Sequence, residues 1–157
     1  MSTTTASVMA GSPAPPFDLP ATGGIRVSLE ALRGQPFVLY FYPKADTPGC
    51  TKEAEAFQAA LPELGIPVVG ISKDPVPALE RFAAKYALTF PLASDTSGVV
   101  EAYGAWVEKA MYGKTCMGVE RSTVLVDAQG AIVRTWRKVK VPGHAAEVLA
   151  AARALPA

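Results

Sequence analysis

Histidine is almost missing from this chain of 157 residues: His144 stands alone. Cysteine is nearly as scarce, with Cys50 and Cys116 the two examples. A metal site built on imidazole and thiolate needs several such side chains together, and His144 has no ligand-type neighbours in sequence, so no metal is expected. Long apolar runs are absent too. None approaches the roughly 18 residues of a spanning helix, so no membrane association is expected. Charge of either sign is not in excess, with 15 basic against 14 acidic residues, which leaves no field to attract nucleic acid or an acidic lipid surface. No glycine-rich phosphate loop is found, so no nucleotide cofactor is expected, nor any other cofactor. The opening MSTTTASVMAGSPAPP carries no Lys or Arg and no continuous apolar stretch, and the first basic residue is Arg26. Both parts of a secretory signal are thus lacking, and residues 1–12 read as a frayed tail. Two cysteines without a signal suit a reducing compartment, and the expected location is the cytoplasm.

What is present fits one domain over residues 1–157, half of it apolar. Phe17-Asp18-Leu19 and Ile25-Arg26-Val27 flank Ala-Thr-Gly-Gly as the arms of a small hairpin. Ser28 can cap a short turn over Leu29 to Leu32, stopped by Gly34. Pro36 to Tyr42 is apolar at both alternate sets of positions, as a strand buried on both faces would be. Cys50 to Leu61 reads as a helix with Ala54, Phe57 and Leu61 on one face and Lys52, Glu53 and Gln58 mostly elsewhere; Pro62 should kink or end it. Ile66 to Ile71 is a second buried strand. Leu79, Phe82, Ala83 and Tyr86 mark a helix starting near Pro77. A short helix over Ser97 to Tyr103 follows. Ser122 to Val126 and Ala131 to Trp136 form a hairpin through Asp127-Ala128-Gln129-Gly130, and Ala145 to Leu155 is a closing helix. The order βα, βα, then ββα is that of an α/β, thioredoxin-like three-layer sandwich with an N-terminal β-hairpin.

Cys50 falls where a buried strand gives way to a helix, beyond the carboxyl end of the strand, where open α/β sheets collect reactive groups. The first turn of a helix has unpaired N–H groups and a partial positive charge that favour a thiolate over a thiol, and the thiolate is the nucleophile. The alternative is a buried cysteine acting as a small apolar side chain. Around it, FYPKADTPGCTKEA places Pro43, Thr47 and Cys50 in the spacing Pro-x-x-x-Thr-x-x-Cys.

That spacing resembles the active-site motif of the peroxiredoxins. The fuller string from Phe41 to Lys44 and from Thr47 to Thr51 is similar to the bacterioferritin comigratory protein subfamily. A second block, Gly113-Lys114-Thr115, Gly118 and Arg121-Ser122-Thr123 through Asp127, matches as well, and the order of elements agrees from about Gly11 onward. The resemblance implies a thiol peroxidase reducing hydrogen peroxide and organic hydroperoxides. It makes Cys50 the peroxidatic cysteine, which becomes a sulfenic acid. It makes Thr47 a hydrogen-bond partner of the incoming peroxide, and Arg121 the cation that stabilises thiolate and departing oxygen. Pro43 becomes the residue that shields the sulfur and shapes the turn. Each has a plainer alternative: Thr47 as an N-cap, Arg121 in a surface ion pair, Pro43 as a strand end. Glu53 is expected to stabilise the first helical turn and to orient Arg121. Trp106, Met111 and Tyr112 are candidates for the substrate entrance, with packing as the alternative.

The chain departs from the subfamily at the resolving cysteine. Glu55 occupies the position five residues after Cys50 where many relatives carry it, and Phe82 to Tyr86 hold none. Cys116, in a loop over Lys114 to Gly118, is the second thiol. A one-cysteine cycle served by thioredoxin or another thiol donor is expected, with a Cys50–Cys116 disulfide and a bond between chains as alternatives. The chain is expected to be a monomer. Two other functions compete: a disulfide oxidoreductase, which would need Cys-x-x-Cys where Thr47 stands, and a binding or chaperone module in which Cys50 is incidental.

Overall fold

The structure, a computed structural model, describes residues 9–111 and 113–155, and of Met111 the backbone alone. The hairpin read from the sequence is β1 (Asp18–Ala21) and β2 (Ile25–Ser28), joined by a 3-10 turn over Thr22–Gly24. Ser28 caps α1 (Leu29–Leu32), its Oγ accepting from Ala31 N at 3.1 Å. Then follow β3 (Phe37–Phe41), α2 (Pro48–Leu64), β4 (Val68–Ser72), α3 (Val76–Lys85), β5 (Leu92–Ser94) and α4 (Val99–Ala102). The chain closes with β6 (Trp106–Met111), β7 (Lys114–Val119), β8 (Ser122–Val126), β9 (Ile132–Trp136) and α5 (His144–Arg153).

Seven strands form one mixed sheet in the order β2-β1-β5-β4-β3-β8-β9. β3, β4 and β5 run parallel through crossover helices, and β8 returns antiparallel to β3. The all-apolar β3 is explained by its two cores. Phe37, Leu39 and Phe41 face α1, α4 and the hairpin, while Val38 and Tyr40 face α2, α3 and α5. This is the three-layer thioredoxin-like arrangement.

Three local expectations change, and one strand was not foreseen. Pro62 neither kinks nor ends α2, which runs on to Leu64 and stops at Gly65 in the left-handed conformation (φ 69°). Proline forfeits one helical bond, but only near the end, and the buried Leu64 and the Gly65 N–H to Leu61 O bond hold the last turn. Cys116 is in no loop: Lys114 to Val119 is a strand paired with β6 in a separate two-stranded ribbon. Most of β7 is exposed, so it carries no period-two apolar pattern for sequence reading to detect. The three-residue β5 was too short to register. The expected tail lies, for residues 1–8, outside the described residues, whereas Gly11 donates to Ile132 O at 2.7 Å and Ser12 O accepts from Ile132 N at 2.8 Å.

Candidate active site

The turn from Tyr42 to Thr47 carries the chain from β3 to α2 and is pinned from two sides. Ala45 N donates to Asp74 Oδ2 at 2.8 Å, and Asp74 also accepts from Ser72 Oγ at the end of β4. Asp46, in the left-handed region (φ 62°), accepts from Tyr86 Oη at 2.9 Å and pairs with Lys85 at 3.0 Å at the end of α3. Those two partners hold the Asp46 carboxyl below its usual range. Backbone in that region is uncommon outside glycine and needs such support.

Thr47 is the N-cap of α2, but its side chain does not cap. Its Oγ1 donates to Lys44 O at 2.7 Å instead, so the hydroxyl proton is committed and the lone pairs remain for a donor. Cys50 follows in the first turn, 2% exposed, in the same buried cluster as Tyr40, Tyr42 and Phe57. Tyr40 stacks on Phe57 at 4.7 Å and lies 5.4 Å from Tyr42. Burial pushes both tyrosines upward and keeps them neutral.

Arg121 arrives from 71 residues away. The register Phe41↔Ser122 sets the start of β8 beside the end of β3, so the residue before Ser122 stands at the mouth of the turn. Its Nη2 donates to Cys50 Sγ at 3.4 Å, and its Nη1 donates to Glu53 Oε1 at 2.6 Å. Gly49 makes room for this: a Cβ there would lie 3.1 Å from Nη2. The surface-pair alternative for Arg121 is thereby removed, since its carboxylate partner is 1% exposed.

Glu53 is the residue the sequence reading misplaced. It is not in the first turn of α2, which begins at Pro48, and it is not off the buried face. Its spacing would have shown this, since 53 is i+3 from Cys50 and i−4 from Phe57. Burial pushes its carboxyl up to about 7, against the pull of Arg121 in the other direction. Its Oε2 finds no hydrogen-bond partner among the described residues.

Pro43 is itself exposed and borders a cavity of about 430 Å³ with Lys73, Trp106, Met117, Val119 and Cys116. Of the three residues suggested for a substrate entrance, Trp106 lines this cavity, and the Met111 side chain and Tyr112 lie outside the described residues. Cys116 is exposed and free, on the wall of that cavity, which Cys50 does not line. His144 is a core residue, 4% exposed, with Nε2 2.7 Å from Thr123 Oγ1 and its ring edge-on to Phe57 and Trp136. Burial lowers its basicity. Among the described residues no three His, Cys, Asp or Glu side chains converge as a metal would need, and no helix is long and apolar enough to cross a membrane.

A thioredoxin-like sheet with a thiol at the head of the helix after an interior strand, in contact with a half-buried guanidinium, defines a protein of thiol redox chemistry. Residues 10–135 match the profile of the AhpC/TSA family. The chain is 49% identical to a putative peroxiredoxin of Coxiella burnetii, over 91% of this chain and 97% of the other. The bacterioferritin comigratory protein of Xanthomonas campestris, whose structures address alkyl peroxide reduction, superposes with a TM-score of 0.84 at 45% identity, covering 88% of this chain and 90% of that one. A peroxiredoxin Q of Xylella fastidiosa gives 0.88 at 38% identity, covering 96% and 98%. The chain belongs to the AhpC/TSA family, as a peroxiredoxin of the bacterioferritin comigratory type, and is a thiol peroxidase.

Proposed function

We propose that Cys50 is the peroxidatic nucleophile, and that hydrogen peroxide and alkyl hydroperoxides are its substrates. The observation that carries this reading is the 3.4 Å donation from Arg121 Nη2 to Cys50 Sγ at the first turn of α2. A permanent cation and the free N–H groups of the helix start stabilise the thiolate in the same place. The sulfur attacks one peroxide oxygen, the S–O bond forms as the O–O bond breaks, and the departing oxygen takes up a proton to leave as water or alcohol. Arg121 is placed to stabilise the charge developing there. Thr47 Oγ1, its own proton held by Lys44 O, accepts from the peroxide O–H and orients it. The apolar walls of the cavity beside Pro43 suit an alkyl group. Loss of all but a small fraction of the peroxidase rate in Cys50→Ser supports the assignment, and a retained rate rejects it.

For recycling, the reading is a one-cysteine cycle. An external thiol, from thioredoxin or a similar donor, attacks the sulfenic acid, water leaves, and a second thiol reduces the mixed disulfide. Cys50 and Cys116 sit on separate elements, and Cys50 does not line the cavity that Cys116 borders, which favours this route. The second reading, an internal Cys50–Cys116 disulfide, is favoured by the position of Cys116 on the same cavity wall as Pro43. The free state of both thiols accords with a cytoplasmic enzyme, and we propose that it works as a monomer.

A further inference from the structure

Cys50, Arg121 and Glu53 form a row in which one cation stands between two groups able to carry negative charge. The contacts along it are 3.4 Å from sulfur to guanidinium and 2.6 Å from guanidinium to carboxyl. Cys50 is 2% exposed and Glu53 1%. With thiolate and carboxylate both ionised, the row would hold a net negative charge away from water, which is strongly disfavoured. With one of them protonated, it is neutral.

Apart from the helix-start N–H groups beside Cys50, no second cation pairs with the row among the described residues. From β3, Tyr40 and Tyr42 are kept neutral by burial, as is His144 from α5. From β8, Thr123 is engaged with His144, and Arg121 is the sole cation in contact with Glu53 among the described residues. Glu53 Oε2, buried and without a partner, is the atom on which a proton would sit. A carboxylate meant to stay ionised would have its second oxygen satisfied.

We infer that Cys50 and Glu53 hold one proton between them across Arg121, so that the thiolate of the resting enzyme stands opposite a protonated Glu53 carboxyl. The upward push on Glu53 from burial agrees with this. The reaction then leaves the row neutral throughout. Thiolate, carboxylic acid and hydroperoxide go to sulfenic acid, carboxylate and alcohol: the S–O bond forms, the O–O bond breaks, and the proton given up by Glu53 balances the one gained by the departing oxygen. Glu53 does not touch the peroxide. It acts through Arg121, as a positioning residue, and the proton moves by way of solvent. When the sulfur returns to a thiol, its proton passes back to Glu53.

This inference rests on Cys50 as the peroxidatic thiol, and the test separates the two. Infrared spectra are taken at pH 8, above the range near 7 to which burial, opposed by Arg121, brings Glu53, so that only a neighbouring thiolate keeps the acid protonated. Reduced enzyme should show the carbonyl stretch of one buried carboxylic acid before any peroxide is added. The band should be missing in Glu53→Gln, missing in Cys50→Ser, and lost when one equivalent of peroxide oxidises Cys50, which peptide mass verifies independently. If Glu53→Gln does not fold, the other two comparisons decide. No such band in reduced enzyme, or a band that survives oxidation of Cys50 or its replacement by Ser, overturns the shared proton. Failure of peroxide to oxidise Cys50 overturns the peroxidatic assignment instead.

Discussion

A Cβ placed on Gly49 would lie 3.1 Å from Nη2 of Arg121, the nitrogen that donates to Cys50 Sγ. The guanidinium has little freedom to withdraw, because Nη1 is held by Glu53 at 2.6 Å. Gly49→Ala should therefore move Nη2 off the sulfur by a few tenths of an ångström. Loss of a helical glycine is worth roughly 0.5–1 kcal/mol in the other direction, so stability should stay within about 1 kcal/mol. The kcat/KM for peroxide should fall about tenfold, in line with the larger losses seen when a charge-stabilising donor is removed outright. An unchanged kcat/KM would mean that this contact does not assist catalysis.

Arg121→Met removes the donor itself. The ultraviolet absorbance of the thiolate at neutral pH should fall, and kcat/KM should drop by roughly 10²–10³. Equal thiolate absorbance in both proteins would show that Arg121 does not stabilise the sulfur anion.

The same variant tests the buried carboxyl through stability. Burial raises Glu53 to about 7, and Arg121 is what holds it from rising further. A raised carboxyl favours folding below its unfolded value, and that contribution is lost as pH climbs through the folded value. Without Arg121 the buried carboxylate is unpaired at high pH, a loss of about 3–5 kcal/mol, whereas at pH 5 it is simply protonated. Denaturant midpoints of Arg121→Met should thus fall much further below wild type at pH 8 than at pH 5. A pH-independent gap would contradict the burial argument.

The layers of the fold were legible because burial left periodic marks. Phe37 to Phe41 is apolar at every position since each face of β3 meets its own core, and Leu79 and Phe82 of α3 recur at helical spacing. The β6–β7 ribbon left no such mark, being exposed along most of β7, so Cys116 was placed in a loop. Cys50 and Thr47 are legible because they are close in sequence. Arg121 joins them only through the register of β8 on β3, which no local pattern encodes, and it was reached by family resemblance alone. Glu53 was expected to orient Arg121, which it does at 2.6 Å, but it was placed in the first helical turn and off the apolar face although its spacing put it on the buried stripe.

His144 supplies an independent pH test. Burial lowers it below its usual value, so the unfolded chain binds the proton that the folded chain refuses, and stability should decline as pH falls below about 6.5. His144→Asn should be less stable at pH 7, having lost the contact with Thr123, but should show a flatter decline between pH 7 and pH 5. An unaltered slope would assign the acid sensitivity elsewhere.

Cys116→Ser distinguishes the recycling routes. The one-cysteine cycle predicts that first oxidation and thioredoxin-driven turnover both persist within about twofold, since no bond to Cys116 is made. Turnover that stops while the first oxidation survives would make Cys116 the resolving thiol.

The central claim is that peroxide reacts at Cys50 because Arg121 and the start of α2 hold its sulfur as an anion. Its most direct test is to add one equivalent of hydrogen peroxide to the reduced enzyme without reductant, quench within seconds, and map oxidation by peptide mass. The account predicts one oxygen on the Cys50 peptide, formed far faster than on a free thiol, with Cys116 unmodified. A Cys50 that stays reduced while peroxide persists, or that oxidises no faster than Cys116, would contradict it.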